Sequence, residues 1–141
     1  MGVFDGLFGS KNPPLAEDDP AIGRISAQGE AFESFVSAAN DKIEVVPGDG
    51  RLYAFVGKPP KAFGLVWFED GERFDVRSMM QNKAMTREAA AQLVQELPGV
   101  YSSHAGSDRF THKVGTHSIT VTPSAAFHQE VNQAVERARA Q

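Results

Sequence analysis

Four histidines, His104, His112, His117 and His128, are the side chains of this sequence best suited to move a proton or hold a metal. His112 and His117 flank Gly115-Thr116, and in a hairpin turning there they share one face with Phe110 and Ile119. Imidazoles on neighbouring strands can hold a metal once a third donor joins them, and His104 or Asp108 is the nearest in sequence. The spacing is not that of a standard site. A hydrogen-bonded histidine at the rim of a core accounts for it more simply, so no metal and no cofactor is assigned.

Other constellations are weaker still. Ser103, His104 and Asp108 are the residue types of a hydrolytic triad, but adjacent strand residues point to opposite faces and no G-x-S-x-G elbow is present. Gly57-Lys58-Pro59-Pro60-Lys61 lacks phosphate-loop spacing, and its prolines remove the amide donors such a loop needs. The carboxylates of Glu69-Asp70-Gly71-Glu72 and Ala16–Asp19 fit no calcium loop and read as a solvated turn and a linker. No catalytic residue is assigned. The chain has no cysteine, which excludes thiolate chemistry and disulfides.

The elements that would position these groups follow from the pattern. Asp19-Pro20 opens a predicted helix running to about Asn40, with Ile22, Ile25, Phe32, Phe35 and Val36 at helical spacing. Two hairpins follow: Lys42–Val46 and Arg51–Val56 around the turn Pro47–Gly50, then Ala62–Glu69 and Glu72–Ser78 around the turn Asp70-Gly71. Thr86 caps a helix that Pro98-Gly99 should end, with a fifth strand over Val100–Ala105. The His-bearing hairpin and a last helix carrying Phe127, Val131 and Val135 complete the order. This predicts an α+β, two-layer sandwich: a mainly antiparallel sheet of about six or seven strands with three helices on one face. Residues 20–141 form the single domain, and residues 1–19 an apolar tail and a flexible linker.

Alternation places Ile43, Val45, Leu52, Ala54 and Val56, with Phe63, Leu65, Trp67 and Phe74, under the helices. The other face then carries Arg51, Tyr53 and Phe55 from the first hairpin, and Phe68, Arg73 and Arg77 from the second. Lys42, Arg109 and Lys113 join them, giving six basic side chains against two acidic ones, Glu44 and Asp75. The whole chain has the opposite balance, a net charge of −4. Aromatic residues beside arginine favour a binding surface.

The expected function is therefore a non-enzymatic protein-binding module, an adaptor, small chaperone or regulatory domain. It would act through that aromatic-basic face on a protein partner or on a second copy as a homodimer. The alternative is a small enzyme or ligand-binding domain with a pocket near the His-bearing hairpin. The acidic balance and the lack of an RNA-binding motif argue against nucleic acid, and nothing points to a small molecule. No apolar run approaches the ~18–20 residues that span a bilayer. Phe4, Leu7 and Phe8 share one side of a turn and form a candidate docking tail for a membrane surface or partner. The cytoplasm is the default location.

Overall fold

The structure, a computed structural model, describes residues 12–141. The candidate tail residues Phe4, Leu7 and Phe8 lie outside the described residues.

The Asp19 carboxylate accepts from the Ala21 amide at 2.9 Å and opens α1 (Pro20–Ser26), with proline at the first helical position. The single helix expected here is two: α2 (Gly29–Ala38) starts afresh with Gly29 at φ +63°, a conformation glycine adopts without strain. The strands are β1 (Ile43–Pro47), β2 (Arg51–Lys58), β3 (Ala62–Glu69) and β4 (Glu72–Asp75). Asp70 (φ 54°) and Gly71 (φ 78°) make the two-residue turn that matches strand twist.

The second hairpin stops short of its expected end because Asp75 caps a helix, α3 (Val76–Gln81), in a reciprocal box with Ser78. Thr86 then caps α4 (Arg87–Ser103), which runs through Pro98 and replaces the expected fifth strand. Proline costs that helix one amide, that of residue 98. The buried stripe Ala89, Ala90, Leu93, Leu97 and Val100 continues across it, so tertiary burial overrides the local stop signal. β5 (Phe110–Val114), β6 (His117–Val121) and α5 (Ala125–Ala140) finish the chain.

The fold is α+β, with a six-stranded, mainly antiparallel sheet in the order β4-β3-β2-β1-β6-β5. Among the six strands described, β1 and β6 are the parallel pair, with Glu44 beside Thr120 and Val45 beside Val121. Helices cover the sheet as expected, but on both faces rather than one. On the first face, α1 and α2 pack Ile25, Phe32 and Val36 onto Val45, Leu52, Ala54, Phe68 and Ile119. On the second, α3, α4 and α5 pack Met79, Leu93, Leu97, Phe127 and Val131 onto Tyr53, Phe55, Leu65 and Trp67.

Register explains the difference. Tyr53 pairs with Trp67 and Phe55 with Leu65, so the inward set of the second hairpin joins the face of Tyr53, not that of Leu52. Central strands apolar on both sides are the mark of a sheet buried on both sides. The folded body also begins before Pro20. Leu15 is buried, its amide donates to the Thr111 carbonyl, and the Thr111 amide donates to the Pro13 carbonyl.

Candidate functional site

The aromatic-basic face is not a surface. Tyr53, Phe55 and Phe68 are each 0 % exposed, the first two under α4 and α5 and the third under α2, where it meets Phe32 edge-on. Their burial beneath the chain's own helices removes them as contact residues. Arg73 and Arg77 stay exposed, but Arg73 leans over the Phe35 ring, 5.1 Å from its centre, on the first face. Arg77 lies in α3 rather than in a strand.

Arg51 is also turned to internal use. Its guanidinium bonds Glu69 at 2.8 Å, the Tyr53 hydroxyl at 3.0 Å, Asn132 at 2.9 Å and Glu136 at 3.0 Å. Burial alone would weaken its charge, but these partners outweigh that and hold it protonated. The Tyr53 hydroxyl donates to Asn132 at 2.6 Å, and burial pushes its pKa up to about 12 against the pull of Arg51. Burial would likewise raise Glu136, but Arg51 and Arg139 bring it below the usual carboxylate range. Sequence reasoning named His128 but gave it no partner, and it seals this cluster. Its Nε2 lies 2.9 Å from the Arg51 carbonyl, which can only accept, and its ring sits 5.2 Å from that of Tyr53. No local signal announces it, because its partners lie far away in the chain.

A second network centres on Glu44. Arg109 Nε donates to it at 2.9 Å, the Thr122 hydroxyl at 2.6 Å and the Tyr101 hydroxyl at 2.6 Å. Burial, then the carboxylate, pushes Tyr101 up to about 12. Arg109 also donates to the carbonyls of His104, Ala105 and Ser107 just past α4, tying the helix end to the sheet. Most polar groups of both networks are spent on protein partners, with the Arg109 Nη2 left buried and unpartnered, which gives the networks the character of ties rather than of reacting centres.

The histidines are not brought together. His112 pairs with Ile119 and His117 with Val114, on one face but one half-buried and the other exposed. His104 stacks on Phe127, 4.8 Å between ring centres, and meets Glu130 at 2.7 Å. Among the described residues no group of three or more His, Asp or Glu is placed to hold a metal ion. A groove of about 580 Å3 runs between α4 and α5, lined by Glu96, Gln129, Glu130, Gln133 and Arg137 and spanned by the 2.6 Å Arg137–Glu96 pair. It does not involve the His-bearing hairpin.

One part of the second sheet face stays uncovered. The register of β1, β6 and β5 puts Lys42, Glu44, Ser118, Thr120, Thr111 and Lys113 on that face. Lys42, Ser118 and Lys113 are exposed, and Lys61 and half-buried Phe63 stand where β3 begins. Ala91, Val94, Pro98 and Tyr101 recur at helical spacing along one flank of α4, and the end of that flank reaches this strip through the Tyr101–Glu44 bond. Val94 is 56 % exposed, the most open large apolar side chain described. The strip thus joins an apolar helix flank to a lysine-bearing strand surface. Compared with known protein families, curated proteins and solved structures, the chain matches none.

Proposed function

We propose that this chain is a non-enzymatic protein-binding module of the adaptor, small-chaperone or regulatory kind, and that its partner docks on the uncovered strip below the α4 flank. The observation that supports this reading is the exposure of Val94 on the same flank as Tyr101, beside a sheet surface that carries Lys42 and Lys113. Among the described residues the large exposed apolar side chains are Val94 and, less so, Met80, and Val94 on a flank that ends beside lysine-bearing strands has the composition of a contact surface rather than of a core. The strip retains part of the surface expected from the sequence, without its buried aromatics.

A photo-reactive residue placed at position 94, with one at exposed Ser34 on α2 as control, tests the reading in the native cell extract. A discrete protein adduct at position 94 alone, lost when Lys42→Glu and Lys113→Glu are added, is the expected outcome. Identical adducts at both positions, or none at position 94, reject it.

A further inference from the structure

We infer that the occupant of the strip is an acidic amphipathic peptide segment of a partner protein, with apolar side chains along one side and carboxylates along the other; this rests on the docking reading above. The argument is one of charge and shape. The molecule carries fourteen basic and eighteen acidic side chains, so its net charge as a whole disfavours an acidic partner. On the strip the balance is reversed. Lys42 and Lys113 are exposed on it, while the carboxylate on the same face, Glu44, is already held by Arg109, Thr122 and Tyr101. An acidic segment is therefore favoured on the strip by Lys42 and Lys113, which lie beside an exposed apolar flank.

The apolar side of the segment meets the flank of α4. Val94, Pro98 and Tyr101 lie at positions i, i+4 and i+7, a stripe about 10 Å long that matches roughly two turns of a helix laid against it. Val94 has the open area to act as an anchor, while Tyr101 and Phe63 close the inner side.

Single-stranded nucleic acid fits less well. Bases need free aromatic faces to stack on. Tyr101 is enclosed by Phe55 and Phe127, with the Arg109 guanidinium 5.4 Å over its ring, and Phe63 packs on Phe55.

Fluorescence anisotropy on the full chain tests this. The probe is a labelled peptide of about two to three helical turns, with leucine on one side and glutamate on the other. A companion peptide carries lysine for each glutamate. The acidic peptide is expected to bind, and the lysine peptide not to. Affinity should fall about tenfold in Lys42→Glu/Lys113→Glu and also as salt rises from about 50 to about 300 mM. Val94→Asp should abolish binding while the thermal transition stays in place.

Equal binding of both peptides, or acidic binding indifferent to the lysines, overturns the inference. So does a labelled oligonucleotide or an anionic vesicle that binds through the same lysines while the acidic peptide does not. If the peptide fails but position 94 still yields its adduct, docking stands and the acidic partner falls. If both fail, both readings fall.

Discussion

Burial holds the His128 imidazole below its ordinary pKa of 6.5. The hydrogen bond to the Arg51 carbonyl and the Asp49 charge oppose that shift, while the Arg51 and Arg24 charges add to it. A group whose folded pKa lies below its unfolded value is protonated more readily by the unfolded chain. Its contribution to stability is therefore complete above 6.5 and is lost as pH falls below that value. Urea midpoints measured between about pH 7 and pH 5 should fall for the wild type, and His128→Gln, which keeps an N–H donor but cannot titrate there, should fall less steeply. An equal slope in both would place the titrating group elsewhere.

The ring packs directly on Gly48, where any Cβ would collide with it. At this scale the sequence was readable where partners are local. The Asp19 cap, the Asp70-Gly71 turn and the Thr86 cap could all be read from a few neighbouring residues. Arg51 finds its partners at positions 69, 132 and 136, and no spacing rule reaches that far.

The edges of the sheet are managed element by element. The two-residue turn makes Glu69 and Glu72 a hydrogen-bonded pair, so the backbone groups of Arg73 and Asp75 aim outward from β4. Those of Asp75 are both taken by the Ser78 hydroxyl, at 3.0 and 2.9 Å. On the far edge the outward groups of Thr111 are taken by Pro13 and Leu15, and the next outward residue is Lys113. Short covered edges and an edge lysine discourage strand addition by other chains.

Ser78→Ala reopens Asp75 and removes one half of the α3 capping box. It should cost about 1 kcal/mol in chemical denaturation and raise the self-associated fraction in sedimentation. A variant as monomeric as the wild type would show that the hydroxyl matters for the helix alone. The strands themselves were legible as elements, because their turns are strong signals. Which face each belonged to was not, because β2 and β3 alternate one apolar residue with another, and only pairing to Trp67 and Leu65 decides.

Across the described residues, two separate cores sandwich one sheet. Phe55 belongs to the α4–α5 side and Phe68 to the α1–α2 side. Truncating either to alanine should cost about 3–5 kcal/mol, and the pair should be nearly additive because they share no cluster. Urea denaturation of the single and double variants measures this. A loss well under 1 kcal/mol in either would contradict the burial on which both cores rest. Such variants report on folding and cannot serve as binding mutants. That is the largest revision of the site read from sequence: alternation separated Tyr53 and Phe55 from Leu52 and Ala54 but set them with Phe68 instead of Trp67, and whether a face is wet depends on where distant helices land.

The parallel contact of β1 with β6 sets a timetable for a chain emerging from a ribosome. The first four strands can pair locally, yet the free side of β1 has no neighbour until residues 117–121 have been made. Pro13 and Leu15 wait for Thr111 in the same way, so the first described residues are among the last to be secured. Until the final hairpin arrives, Val45 and Val46 sit on an unprotected strand edge, and the interval between their synthesis and that arrival is when the chain is most open to pairing with the wrong neighbour.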